Sequence, residues 1–339
     1  TCQQKSGGRN PDPTFCFPIN QKKQQTTISE RKFSSVKKKK NRSQKKYGKY
    51  ILVAILSLIS ISLILYPFIS NYMFEHRADG IIETVKKSGN TNQEQNDKEI
   101  EKAIKYNETL VNGNIQLKDP FDEDILSENA DEYNSLLNMT DDGVMGFIKI
   151  PCIDVSIPIY HGTSEEVLLV GAGHLQGTSL PIGGDSTHSV ITGHTGLSSA
   201  KLFTDLTELV QGDIFFLYVM GKDIAYEVDD ISVIKPTEMD KLRIEKGKDY
   251  CTLVTCTPYG VNSHRLLVRG HRIDYKEAVE KPAVFEEKKS HSKWQQEYAK
   301  SIIISSTCFT VLLMGLIIWR CYTNEKERKL RQKKKKKKI

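Results

Sequence analysis

Residues 250–273 read YCTLVTCTPYGVNSHRLLVRGHRI, and this stretch decides the fold. Two apolar runs, 250–256 and 265–273, flank TPYGVNSH, which Pro258 and Gly260 mark as a turn between strands. Side chains alternate across a strand. Cys251 and Leu253 therefore share one face, while Thr252, Val254 and Cys256 share the other. The odd spacing argues against a disulfide between the two cysteines. Cys251 reads as a small core residue. Cys256 stands where the strand runs into the turn, a position where rigid scaffolds present functional groups.

The same texture extends upstream to Gly143. MGFIKI (145–150), VSIPIY (155–160), HSVITGH (188–194), DIFFLYV (213–219) and IAYEVDDISVI (224–234) are short apolar runs separated by Gly, Pro and Asp. Many short strands with such punctuation predict a mainly β domain, a barrel or a sandwich. A helix is expected over 199–210, with Leu202, Phe203, Leu206, Leu209 and Val210 on one face. A shorter one is expected over 163–171, with Thr163 as its cap and Glu166 three residues on.

Two uncharged apolar runs bracket this region, residues 51–74 and 301–319. Each is long enough to cross a bilayer, which takes about 20 residues. The first lies too deep and runs too long for a signal peptide, and no small-residue cleavage site follows it. The alternative for the second is a buried core helix. Charge sets the orientation. Residues 1–50 carry a net +12 and residues 320–339 a net +9, and the chain's total of +7 leaves −14 for residues 51–319. Basic flanks stay cytoplasmic, so both tails are expected inside and the acidic middle outside. KKKKNRSQKK and RKLRQKKKKKK resemble nucleic-acid arms in composition. Beside membrane spans they fit anionic lipid headgroups instead, and no nucleic-acid partner is expected. The sequence opens on Thr1 rather than Met, so the start of this first tail is left open.

Of seven cysteines, Cys2 and Cys16 fall in the first tail, Cys308 in the second run and Cys321 just after it. That leaves Cys152, Cys251 and Cys256 outside, an odd number that flags a reactive thiol. His161, His174 and His188 are scattered among turns, and the cysteines have no CxxC spacing, so no metal or cofactor is expected. A nucleophilic thiol needs a cation or base nearby to gain thiolate character. His194, after HSVITG, and Arg265, opening the strand after the Cys256 turn, are the candidates. Taken alone, each also fits a structural role: a satisfied turn histidine and a solvated arginine.

The words TGHTGL (192–197), TLVTCTPYG (252–260) and NSHRLLVRG (262–270), in that order, resemble the active-site segments of the sortases, membrane-anchored cysteine transpeptidases of Gram-positive surfaces. The resemblance covers about residues 143–273. Two further features resemble class C, the pilin-polymerising subgroup: DPF at Asp119, Pro120 and Phe121, which matches that group's active-site lid, and the second apolar run after the barrel. The resemblance implies a closed β-barrel with short helices. It implies Cys256 as the nucleophile that attacks an LPxTG-like signal between Thr and Gly, His194 as acid and base, and Arg265 as oxyanion or signal holder. It also implies a Lys amine of another pilin as acceptor. Asp119 is expected to pair with Arg265, and Phe121 to lie over Cys256. As an exposed pair the first contact would contribute at most about 1 kcal/mol. Anchoring of single proteins to peptidoglycan, a hydrolytic cysteine protease that differs only in the final acceptor, and an inactive scaffold that binds sorting signals are the competing readings.

The expected organisation is a basic tail (1–50), a span (51–72), a helical stalk with the lid at 119–121 (73–135), the barrel (136–275), a juxtamembrane linker (276–300), a second span (301–320) and a basic tail (321–339). Ile100, Ala103, Ile104 and Leu110 give the stalk a weak helical stripe.

Overall fold

The structure is a computed structural model that describes residues 23–91, 93–111, 113, 117–122, 130–140, 142–281 and 293–336. Cys2, Cys16 and residues 282–292 of the linker lie outside the described residues.

Eight strands close a barrel: β1 (Val144–Ile150), β2 (Val155–His161), β3 (Ala172–His174), β4 (Thr187–Thr192), β5 (Ile214–Val219), β6 (Lys222–Ile234), β7 (Asp249–Thr257) and β8 (His264–Ile273). Their order around the barrel is β1-β2-β3-β4-β7-β8-β6-β5. Two pairs are parallel, β2 with β3 and β4 with β7, and the rest are antiparallel. Closure leaves no open sheet edge to pair with another chain.

The alternation read from 250–256 holds. Cys251 and Leu253 join the main core with Phe215, Tyr226 and Val268, whereas Val254 belongs to a separate cluster with Leu175, Ile234 and Leu267. One face of β7 therefore fills the barrel, and the other is covered from outside. Leu117 and Phe121, from the segment that holds DPF, pack against that outer cluster.

Six α-helices occur among the described residues: α1 (Lys23–Thr91), α2 (Gln93–Val111), α3 (Ala130–Ser135), α4 (Glu165–Val170), α5 (Tyr275–Glu280) and α6 (Lys293–Lys336). The predicted stripe forms on α2, with Ile100, Ala103 and Leu110 buried and Ile104 turned out. These helices do not stand free as a stalk. Ile82 and Val85 of α1 and Ile100 and Ala103 of α2 belong to the barrel's own core cluster. At Gly89 a Cβ would lie 2.7 Å from the Tyr218 hydroxyl and 2.8 Å from Gly221 N, so only glycine lets α1 approach the β5–β6 turn this closely. Asn107 of α2 pins the helix to the loop after β3: its amide donates to Leu180 O at 3.2 Å, and its Oδ1 accepts from Leu180 N at 2.7 Å.

Two local expectations need correction. The helix over 199–210 shrinks to a 3₁₀ turn, Thr204–Glu208. Leu202 takes φ +41, which interrupts any helix there, and Val210 is exposed while the other four apolar residues are buried. α4 forms as expected, but its cap is Ser164, whose hydroxyl accepts from Val167 N, and not Thr163.

The apolar runs lie in α1 and α6, where Val53–Thr91 and Tyr298–Lys333 are long and apolar enough to cross a membrane. Side chains such as Leu63 (70% exposed) and Val311 (69%) have no core around them, unlike those of a buried core helix. Apolar surface of this extent marks an interaction with lipid or protein.

Candidate active site

Three neighbouring strand ends build the site. β7 and β8 are antiparallel with Cys256 directly opposite Arg265, so the two side chains leave the same face as cross-strand neighbours. β4 runs parallel to β7 on its other side, with Thr192 opposite Val254. The pairing continues past the strand end, since Gly193 N donates to Val254 O at 3.0 Å and the Thr255 hydroxyl donates to Gly193 O at 2.7 Å. His194 is the next residue, level with Cys256. The order β4-β7-β8 thus puts the thiol in the middle, the imidazole on one side and the guanidinium on the other.

Local packing holds the flanking residues. At Gly193 a Cβ would meet the Phe203 ring at 2.7 Å, so glycine lets that ring close under the backbone that carries His194. Phe203 N donates to His194 O at 3.1 Å, folding the following loop back on itself. On the other side the turn after Thr257 is closed by Val261 N and Asn262 N, both donating to Pro258 O at 3.0 Å. Asn262 has φ +58, a conformation asparagine tolerates better than most residues, and its carbonyl accepts from Arg265 Nη1 at 3.0 Å.

All three DPF residues are at this site. Asp119 takes a two-pronged ion pair from Arg265, Nε to Oδ1 at 2.8 Å and Nη2 to Oδ2 at 2.5 Å. Arg265 Nη1 also reaches His264 O at 3.1 Å. The Phe121 ring lies 4.9 Å from the Arg265 guanidinium and 5.7 Å from the His194 ring. Pro120 between them is buried. The ring contacts are thus with the two neighbours of the thiol. The ion pair is not the exposed one expected from sequence, because the Arg265 and Asp119 side chains are only 8% and 14% exposed. The limit for surface pairs does not apply to it. A bidentate arginine–carboxylate pair is among the strong charge-assisted contacts, and removing one partner leaves the other charge buried.

Burial pushes the Cys256 thiol above its ordinary range; the Arg265 charge opposes that shift and the Asp119 charge reinforces it. Burial first, and the Asp119 charge after it, thus favour the thiol over the reactive thiolate. His194 Nε2 lies 3.4 Å from Glu165 Oε2, but without hydrogen-bond alignment, and is otherwise buried and unpartnered. Sequence reading missed Glu165: it lies on α4, separated from His194 by β3 and β4, and only the barrel brings them together. Cys251 is fully buried on the opposite face, and burial drives its thiol well above the ordinary range. His161, His174 and His188 do not reach this site's sulfur; each satisfies backbone or side-chain groups elsewhere in the barrel. No group of metal-ligating side chains occurs among the described residues.

Residues 148–273 match the sortase domain family. Sortase C-1 from Actinomyces oris is 50% identical, with a TM-score of 0.50 and coverage of 53% of this chain and 99% of that one. Sortase C-1 from Streptococcus pneumoniae is 48% identical, with a TM-score of 0.53, covering 58% and 99%. Among curated proteins, sortase A of Bacillus anthracis is 29% identical over 133 residues, a match spanning 39% of this chain and 61% of that protein. Sortase A of Streptococcus agalactiae is 27% identical over 215 residues, 62% and 79% respectively.

Proposed function

Because this chain belongs to the sortase family of cysteine transpeptidases, in its class C, we propose that it cuts an LPxTG-like sorting signal between Thr and Gly and joins the new end to a Lys amine of another pilin subunit. The observation that carries this reading is the convergence of His194, Cys256 and Arg265 on three adjacent strand ends beneath Asp119 and Phe121. The roles follow from chemistry. The Cys256 thiolate attacks the Thr carbonyl. Arg265, always charged and fork-shaped, holds the oxyanion or the signal's backbone. The His194 imidazolium gives its proton to the departing glycine amine, leaving a thioester and a neutral ring. The acceptor amine then attacks the thioester carbonyl. The C–N bond forms as the C–S bond breaks, His194 takes the amine's proton, and the sulfur leaves as thiolate.

Asp119, Pro120 and Phe121 act in this reading as a lid. The lid withholds Arg265 from the thiol and keeps the sulfur protonated. When it swings away, burial lessens and Asp119 leaves, so both effects that raise the thiol's pKa weaken while Arg265 remains.

The cellular setting is part of the proposal. α1 and α6 cross the membrane through residues 51–72 and 301–320, the basic tails lie inside against anionic lipid, and the barrel faces out. A membrane-impermeant thiol reagent should then fail to label Cys321 on intact cells; labelling there would reverse the orientation. For the reaction itself, the full chain is incubated with an LPxTG peptide and a pilin carrying a candidate Lys. An isopeptide-linked product supports pilus assembly. A product formed only with peptidoglycan-type amines would assign the chain to anchoring, and hydrolysis alone would remove the transpeptidase reading.

A further inference from the structure

Beside His194 the barrel rim opens into a cavity of about 530 Å³. Glu165 and Glu166, at the start of α4, and His161, at the end of β2, form its barrel wall, and Phe121 and Asp122 face it from the lid side. His194 lines it as well, and its buried Nε2 has no hydrogen-bond partner. The carboxylate of Glu165 stands 3.4 Å from that nitrogen. No Lys or Arg is among the described residues that line the cavity. His161 adds no charge to it near neutral pH, because burial lowers its pKa. The cavity is therefore acidic, and it ends at the ring nitrogen that must handle the amine proton.

Strand order separates the barrel wall of this space from the lid's ion pair. Asp119 occupies Arg265, on the β8 side of the thiol, while the cavity lies on the β4 side. When the lid moves, Phe121 and Asp122 leave with it, but Glu165, Glu166, His161 and His194 stay on the barrel. Two substrates must reach one sulfur in sequence. The sorting signal has the guanidinium to hold it, and the second substrate arrives as a cation.

On the transpeptidase reading above, we propose that this cavity receives the acceptor's Lys ammonium, with Glu165 as the carboxylate that draws it to His194. The ammonium loses one proton to solvent on arrival. The amine then attacks the thioester carbonyl as described, passing its remaining excess proton to His194 Nε2. Glu165 is thus a specificity residue for a charged acceptor, and it takes no part in the first half of the reaction.

The test compares the full chain with its Glu165→Gln variant in detergent, each given the same LPxTG peptide and two acceptors, a Lys-containing peptide and hydroxylamine, which is neutral near neutral pH. An ion pair at an exposed carboxylate corresponds to about two- to fivefold in a rate ratio. The ratio of Lys-peptide product to hydroxylamine product should fall by about that factor in Glu165→Gln, through a higher KM for the Lys peptide, and Glu165→Asp should restore part of it. Equal losses with both acceptors would mean that Glu165 works through His194 or through packing, and an unchanged ratio would mean that it does not meet the acceptor. Either result overturns the proposal. Absence of any thioester in the parent protein would be a different failure, that of the transpeptidase reading itself.

Discussion

At Arg265 four of the five N–H donors are taken while Asp119 is in place, two by the carboxylate and two by the Asn262 and His264 carbonyls, and the Phe121 ring lies 4.9 Å away. A guanidinium so engaged cannot offer its two-pronged edge to an oxyanion. Replacing Asp119 by Ala removes a charge-assisted pair worth about 1.5–3 kcal/mol, so thiol alkylation of the resting enzyme should accelerate at least about tenfold. Phe121→Ala should act in the same direction by a smaller factor, since a cation–π contact is worth about 0.5–1 kcal/mol. Equal alkylation rates for parent and variants would remove the gating idea. The sign of the pH dependence is set as well. Burial and Asp119 both raise the Cys256 pKa, so opening the lid should move the rise in alkylation rate to lower pH. Cys251 offers the contrasting case: it is fully buried on the core face, so Cys251→Ala should lower stability by about 1 kcal/mol while turnover continues. A folded but inactive Cys251→Ala protein would show that the two faces of β7 had been exchanged.

Among the elements, β3 carries a fully buried imidazole at its end. His174 is fully buried, with one ring nitrogen 2.9 Å from the Tyr133 hydroxyl and the other 2.8 Å from Ser179 O. Its pKa is lowered to about 4, chiefly by burial, with the Ser179 carbonyl opposing the shift and the nearby His161 adding to it. The unfolded chain therefore takes up the proton first as pH falls. Stability is complete above the ordinary histidine pKa of about 6.5 and declines between there and about 4. His161 and His188 are lowered by burial too and add in the same sense. By pH 5 the loss from His174 alone should be on the order of 2 kcal/mol. It would be read as a falling melting temperature whose slope flattens in His174→Gln, and an identical slope in that variant would assign the acid sensitivity to other groups. These elements also show what could be read in advance. Strands β7 and β8, their turn and the opposed faces of Cys251 and Cys256 follow from local alternation and from Pro258 and Gly260. Residues 199–210 did not read correctly, because the apolar spacing of Leu202, Phe203, Leu206 and Leu209 suits a helix but these side chains are buried by a turn that folds under Gly193. Glu165 could not be read at all, since its nearness to His194 comes from barrel closure and not from any local pattern.

Over the whole molecule, the barrel, the helices packed on it and the two apolar helices follow one division of labour. The closed sheet holds three strand ends in register, and α2, pinned through Asn107, covers part of the barrel's outside. The charge division, basic at both tails and acidic between the spans, gives the chain its proposed orientation at the membrane. On the proposed reading, displacing the segment 117–122 changes the surroundings of Cys256 while the strand order of the barrel stays as it is. The proposed reaction passes through a covalent bond at Cys256. Intact-mass measurement of the full chain after exposure to an LPxTG peptide should show the mass of the peptide truncated after Thr, attached in a hydroxylamine-sensitive bond, in the parent and in Cys251→Ala. It should be absent from Cys256→Ala. An adduct that persists in folded Cys256→Ala, or that never forms in the parent even with Asp119 replaced, would contradict the account.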